Sequence, residues 1–235
     1  MAAAPNGDVY VGTADVYSGD IYKQTGGTGN FVALSQGDRI WWAMAAAQNG
    51  DVYACVPSGD IYKQTGGAGN FVALSQTSRI WRAMAAAPNG DVYACAYNGD
   101  IYKQTGGAGN FVALSQTSRN WYGMAAAPNG DVYACASYGD IYKQAGGTGN
   151  FVALSQGARA WGGMAAAPNG DIYICAYSSD IYKQAGGTGN FVALSQGARE
   201  WGGMAAAPNG DVYASVGSGD IYKQYGGGGN FFLFF

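Results

Sequence analysis

The sequence predicts an all-β fold, a six-bladed β-propeller with four antiparallel strands per blade. Three observations predict it. Ile-Tyr-Lys-Gln recurs at Ile21, Ile61, Ile101, Ile141, Ile181 and Ile221, a spacing of 40 residues carried through nearly all of the 235-residue chain. A period near 40 is that of one propeller blade per repeat. Each repeat holds four short β-prone segments set apart by turn residues. Charged residues make up only 11%, whereas Gly reaches 40 copies and Tyr 18. Such a chain rests on buried β-branched and aromatic side chains, with Gly at tight turns, and not on ion-pair networks.

Residues 111–150 contain every element once. Phe111-Val-Ala-Leu-Ser-Gln116 is the outer strand D. The polar loop Thr117-Ser-Arg-Asn120 leads through Trp121-Tyr-Gly to Met124-Ala-Ala-Ala127, whose small side chains suit a crowded inner strand A. Pro128-Asn-Gly130 signals a hairpin, because Asn-Gly accepts the positive φ angles of tight turns. Asp131-Val-Tyr-Ala-Cys135 alternates as strand B, and Ala136-Ser-Tyr-Gly139 turns into strand C, Asp140-Ile-Tyr-Lys-Gln144. Ala145-Gly-Gly-Thr-Gly149 reads as a flexible connection to the next strand D.

On this phase one propeller domain covers 1–235, with blades at about 1–37, 38–77, 78–117, 118–157, 158–197 and 198–235. The chain begins on strand A of blade 1 and ends on strand D of blade 6, Phe231-Phe-Leu-Phe-Phe235. Closure within one chain, hence a monomer, is expected. Blade 1 carries three extra residues between Val11 and Gly19, which predicts a longer B–C loop there.

The net charge is −3 and no basic run occurs, so nucleic acid is not an expected partner. No apolar run reaches the ~20 residues of a membrane-spanning helix. The start, Met1-Ala-Ala-Ala-Pro5, lacks the regions of a signal peptide and already belongs to a repeat. Cys55, Cys95, Cys135 and Cys175 recur once per repeat. Equivalent positions on neighbouring blades lie too far apart for the ~7 Å Cα limit of a disulfide, so four buried free thiols are expected. No zinc or calcium site and no cofactor is expected from these spacings. The single Lys of each repeat, such as Lys63, reads as a solvated charge guarding a strand edge. Asp51, Asp60 and their equivalents read as residues that hydrogen-bond turn backbone. With no His and one Glu, Glu200, general acid–base catalysis has few candidates, and a non-enzyme is expected.

The repeats differ mainly in two loops. The D–A loop changes at Gly37-Asp38, Thr77-Ser78 and Gly157-Ala158, at Ile40, Asn120, Ala160 and Glu200, and after Trp at Trp42, Arg82, Tyr122, Gly162 and Gly202. The B–C loop changes at Val56-Pro-Ser58, Ala96-Tyr-Asn98 and Ala176-Tyr-Ser178. Both loops emerge at the same end of an up-down blade. That end is either a binding face or simply where exposed loops drift. Candidate ligand-binding residues there are Arg39 and Trp41, Arg79 and Trp81, Arg119 and Trp121, Arg159 and Trp161, and Arg199 and Trp201, with Tyr97, Asn98, Tyr138 and Tyr177 from the B–C turns. An exposed Trp face beside a guanidinium can stack and hydrogen-bond a sugar. Alternatively, Trp wedges between blades and Arg caps loop carbonyls. The Arg-x-Trp loop occurs five times, so five sugar sites are expected if the loop makes the site.

Pro88-Asn-Gly-Asp-Val-Tyr-Ala94 followed by Ile101-Tyr-Lys103 resembles the repeat of tachylectin-type β-propeller lectins. Asn110-Phe111 and Trp121 are similar to that family's Asn-Trp step and its loop Trp. The resemblance covers every repeat and implies a carbohydrate partner, N-acetylated sugars held between neighbouring blades. The chain departs from the family in having six repeats instead of five, a shorter D–A loop and a Met-Ala-Ala-Ala inner strand. The leading expectation is therefore non-catalytic, multivalent carbohydrate recognition, with avidity across weak sites. The alternative is a structural or protein-interaction scaffold without a small ligand, engineered or recently duplicated.

Overall fold

The computed structural model describes residues 1–13, 19–217 and 219–234. Most of the longer B–C loop expected in blade 1 lies outside these residues, as does Phe235. Each repeat forms one antiparallel sheet whose strands A, B, C and D pair in chain order, and six such sheets are the blades of a six-bladed β-propeller. The only helical elements among the described residues are short 3₁₀ turns, one per repeat.

The chain groups into two compact units, Met1–Trp121 and Tyr122–Phe235. The first holds three blades. In blade 1 the strands are Ala2–Ala3, Val9–Gly12, Ile21–Gln24 and Val32–Ala33. In blade 2 they are Ala43–Ala46, Val52–Cys55, Ile61–Gln64 and Val72–Ala73. In blade 3 they are Arg79–Ala86, Val92–Ala96, Ile101–Gln104 and Val112–Ala113. Pro57–Gly59 of blade 2 adds a fifth strand to blade 3 through Arg79 and Ile80. Blades 4 to 6 have strands A over Trp121–Ala126, which starts at the last residue of the first unit, Trp161–Ala166 and Trp201–Ala206, and strands D over Val152–Ala153, Val192–Ala193 and Phe232–Leu233. The expected strand phase therefore holds in all six blades.

The core lies between successive blades of a unit. Ala2, Tyr10 and Ile21 of blade 1 pack against Trp41, Met44, Val52 and Phe71 of blade 2. In the second unit Tyr173, Cys175 and Ile181 of blade 5 pack against Trp201, Val212 and Phe231 of blade 6. All four cysteines are buried, and none of them forms a disulfide. Burial pushes the thiols of Cys55, Cys95 and Cys175 up to about 12, because a thiolate is poorly solvated in an apolar interior.

Four expectations need correction. Strand D is two residues long, not six. Ser75 takes φ +54°, and the Asp60 carboxylate accepts the N–H groups of Ser75 at 2.8 Å and Gln76 at 2.7 Å. The carboxylate thus captures donors that would otherwise continue a ladder. In the Pro-Asn-Gly turn only Gly takes positive φ, as at Gly90, +89°. This is a longer hairpin loop with Gly in the left-handed position, not a turn with two left-handed residues. The Gly-rich C–D connection is a 3₁₀ turn pinned at both ends. Asp51 Oδ1 accepts the Gly66 N–H at 2.8 Å, and Gln64 donates to the Gly69 carbonyl at 2.6 Å.

The repeated Lys is no solvated guard. Lys63 Nζ lies 2.6 Å from the Asp51 carboxylate and donates to the carbonyl of Gly107 in the next blade at 3.1 Å. The Tyr53 hydroxyl donates to the same carbonyl, also at 3.1 Å. In the second unit Lys143 and Tyr133 both reach Gly187 in this way. A chain poor in charge therefore carries one partly buried ion pair per blade. Burial by itself raises the Asp51 carboxyl. Hydrogen bonds from Lys63, the Gly66 N–H and Asn49 outweigh it and hold the group below its ordinary range. Burial likewise disfavours the Lys63 ammonium, but Asp51 and Tyr53 leave it raised.

Candidate functional site

The D–A and B–C loops meet at one end of the blades in each unit. Every D–A loop bonds to the B–C turn of the blade it leaves or of the blade it enters. In the first unit the Arg119 N–H donates to Gly99 at 3.2 Å, and the Tyr97 N–H to Ile80 at 2.8 Å. In the second, the Arg199 N–H donates to Ser179 at 3.3 Å, and the Tyr177 N–H to Ala160 at 2.9 Å. The variable residues are thereby gathered along the seams between neighbouring blades.

The five tryptophans are not at this surface. Trp41, Trp81, Trp121, Trp161 and Trp201 are only 0–2% exposed. Trp121, Trp161 and Trp201 open strand A, Trp81 lies within it and Trp41 just before it; Trp41, Trp81, Trp161 and Trp201 fill the gaps between blades, where burying an indole contributes most. Trp41 meets Tyr62 of strand C edge to face at 5.1 Å, and Trp161, Trp81 and Trp201 meet Tyr182, Tyr102 and Tyr222 similarly. An indole held this way offers no face to a sugar, which corrects the stacking role expected of it.

The arginines are at the surface but already engaged. The Arg39 guanidinium lies 5.7 Å from the Trp41 ring and 5.1 Å from the Tyr62 ring. Arg79, Arg159 and Arg199 repeat the arrangement over Trp81 and Tyr102, Trp161 and Tyr182, and Trp201 and Tyr222. Arg119 lies over Trp121. Each also donates to a carbonyl in its own loop: Arg79 to Thr77 at 2.9 Å, Arg119 to Thr117 at 3.2 Å, Arg159 to Gln156 at 2.6 Å, and Arg199 to Gln196. Cation–π contact and loop capping account for the guanidinium, with its outer edge left toward solvent.

The B–C residues differ. Asn98 is exposed and Tyr97 is half-buried. Tyr138 is 77% exposed and Tyr177 51%. Tyr138 also takes φ +57°, a left-handed conformation unfavourable for a bulky side chain. The same turn position is Ser58 in blade 2, Asn98 in blade 3 and Ser178 in blade 5. The Glu200 carboxylate beside Tyr177 raises its phenol.

A cleft of about 270 Å³ opens beside Glu200, lined by Arg199, Glu200, Val216, Asp220 and Tyr222. It lies between the D–A loop entering blade 6 and the B–C turn of that blade. Of its lining, the sequence proposed only Arg199 as a ligand-binding residue; it marked Glu200 as a variable loop position and Asp220, as an equivalent of Asp60, as a turn residue. Glu200 could have been found, since it is the one Glu of the chain and sits at a variable loop position. Asp220 belongs to a repeated Gly-Asp step and carried no signal of its own. Among the described residues no group of three metal-ligating side chains converges.

No family model and no curated protein matches the chain in sequence. The fold has many solved counterparts. A streptogramin B lyase superposes with a TM-score of 0.73 at 14% identity, covering 94% of this chain and 77% of that one. A virginiamycin B lyase from Staphylococcus aureus gives 0.64 at 12%, covering 86% and 72%. The computationally designed Ika8 protein gives 0.64 at 19%, covering 96% and 70%. At these identities the likeness establishes the propeller fold and carries no activity with it.

Proposed function

We propose that the protein is a non-catalytic binding module that takes carbohydrate at the D–A/B–C end of its blades. Exposed tyrosines, not the buried tryptophans, supply the stacking surface. The observation that carries this reading is the cleft of about 270 Å³ beside Arg199, Glu200, Asp220 and Tyr222, placed where the repeats differ most and flanked by exposed Tyr177. A phenol face with convergent carboxylate and guanidinium groups is the chemistry that holds a pyranose ring. The lectin-like turn motifs support the same ligand class. The absence of His from the chain supports binding over catalysis.

Titration calorimetry against a panel of neutral, acidic and amino monosaccharides tests the reading. Binding is expected for part of the panel, and Tyr177→Ala should weaken it about 3- to 10-fold, the scale of one aromatic contact. Silence across the panel would favour an interaction scaffold. That second reading has its own support: Val32, Val72, Val112, Val152 and Val192 are exposed along the outer strands, a repeated apolar row at sheet edges.

A further inference from the structure

The tripeptide Asn-Gly-Asp occurs seven times in the chain. Six copies are the A–B turns, Asn6-Gly-Asp8, Asn49-Gly-Asp51, Asn89-Gly-Asp91, Asn129-Gly-Asp131, Asn169-Gly-Asp171 and Asn209-Gly-Asp211. The seventh, Asn98-Gly-Asp100, is the B–C turn of blade 3, where the other blades carry Ser58, Tyr138 or Ser178 at the same left-handed position. Asn-Gly is a step at which a chain can modify itself, because glycine has no side chain to hinder the attack. The glycine nitrogen bonds to the asparagine Cγ, the C–N bond of the side-chain amide breaks, and the glycine proton leaves with it as ammonia. Water then opens the cyclic succinimide at either carbonyl, giving aspartate or isoaspartate.

All seven asparagines are exposed, so access to water does not separate them. Their side-chain bonds do. Asn89 Nδ2 donates to Asp91 Oδ2 at 2.9 Å, and Asn89 Oδ1 accepts the Asp91 N–H at 3.0 Å. The other five A–B turns repeat both bonds at 2.9–3.1 Å. The clamping carboxylate is itself fixed by the Lys of its blade. Bringing Cγ over the glycine nitrogen breaks both bonds of the clamp. That nitrogen is engaged as well, since each A–B glycine N–H donates to the Ala carbonyl three residues back at 2.9–3.0 Å.

Asn98 lacks the clamp, although the tripeptide is the same. Its side chain makes no hydrogen bond with a described residue. Asp100 is turned away from it, and Asp100 Oδ1 accepts the N–H groups of Ile101 at 2.7 Å and Gln116 at 2.8 Å. The Gly99 N–H donates to the Ala96 carbonyl at 3.2 Å, longer than in any of the six A–B turns. Asn98 also takes φ +52°, a conformation that an L residue leaves readily.

We propose that Asn98 is the site at which the folded protein deamidates, and that the other six Asn-Gly steps are shielded by their Asp clamps. The product carries one more negative charge at the D–A/B–C end of blade 3. It lies in a turn whose Tyr97 N–H donates to Ile80 and whose Gly99 carbonyl accepts from Arg119. The isoaspartate form lengthens the backbone between these two bonds by one methylene and shifts one against the other.

Peptide mass spectrometry of the folded protein after incubation at mildly alkaline pH tests this. Conversion of amide to acid should appear at Asn98 at least about 10-fold faster than at any A–B asparagine, because there two bonds, one of them to a carboxylate, must break before the attack. In denaturant, where the clamps are gone, all seven should convert at similar rates. Asn98→Ser, which places the residue of blades 2 and 5 at that position, should leave the folded protein unmodified over the same period. A rate at Asn98 no greater than at the A–B steps, or a lead for Asn98 that persists undiminished in denaturant, overturns the inference.

Discussion

The two ends of each blade obey different rules. At the A–B and C–D turns every repeat keeps the same Asn, Asp, Lys and Tyr; Asp holds the Asn and the Lys, and in blades 1, 2, 4 and 5 the Lys and Tyr also reach a glycine carbonyl of the next blade. At the D–A and B–C loops the backbone bonds recur but the side chains change from repeat to repeat. The difference teaches where this chain can vary. An end whose side chains carry the contact between blades is closed to substitution. An end whose backbone carries it leaves the side chains open to other uses, and there one seam has acquired a cleft.

Removing a pillar common to both ends should have the largest effect. Trp81 is fully buried between blades 2 and 3 and donates to the Gly59 carbonyl at 3.2 Å. Trp81→Ala should cost about 3–5 kcal/mol in urea denaturation and leave the affinity of the blade 6 cleft unchanged. A loss below about 1 kcal/mol would return the indole to the surface role. At the conserved end, Asp51→Ala strands Lys63, Asn49 and the Gly66 N–H together. Breaking a partly buried pair is expected to cost about 3 kcal/mol, toward the lower limit for fully buried pairs. The same truncation of exposed Asp38 should change stability by less than about 0.5 kcal/mol.

The conserved end also sets the pH range. Asp51, Asp91, Asp131 and Asp171 sit below the ordinary carboxyl value of 3.8, so the folded state binds these protons more weakly than the unfolded chain. Their contribution is complete above that value and is lost as pH falls below it toward the folded pKa. Lys63, Lys103, Lys143 and Lys183 sit above 10.5. Their contribution is complete below that value and is lost as pH rises beyond it. Melting temperature should therefore be flat across neutral pH and fall at both extremes. Asp51→Asn should blunt both arms. A steep slope between pH 5 and 8 would show that other groups govern stability.

The smallest effect belongs to the variable end and has the opposite sign. Tyr138 holds a left-handed conformation that Asn tolerates well. Tyr138→Asn should stabilise by about 1 kcal/mol, read as a rise in denaturation midpoint. A destabilisation would mean that the exposed phenol contributes to packing.

Most of the fold was legible because it is written in periods. The 40-residue spacing marked the blades, and small residues marked Met44–Ala47 as strand A. What escaped notice was long-range and polar. Nothing local to Lys63 says that its ammonium lies between Asp51 and Gly107, because both partners meet only once strands B and C pair and the next blade packs. Trp121 was ambiguous for a related reason. An Arg-x-Trp loop suits a sugar shelf or an interblade wedge equally, and burial alone separates them. The cleft was least legible, since it forms where the D–A loop and the B–C turn meet and its Asp220 is identical in sequence to five relatives.

The repeated Lys, Tyr and Gln side chains reach from one blade to the next in the same direction along the chain. Lys63 and Tyr53 reach forward to Gly107, Lys143 and Tyr133 to Gly187, and Gln76 reaches the Phe111 N–H at 3.1 Å. Donor and acceptor are separated by a constant chain offset, not by any identity peculiar to one repeat. Excising or inserting one whole repeat would leave each remaining donor facing an acceptor at the correct distance. In genetic terms the unit of exchange and the unit of packing coincide. Unequal crossing-over between repeats would then yield chains whose seams are already matched, and copy number could change before any side chain had to.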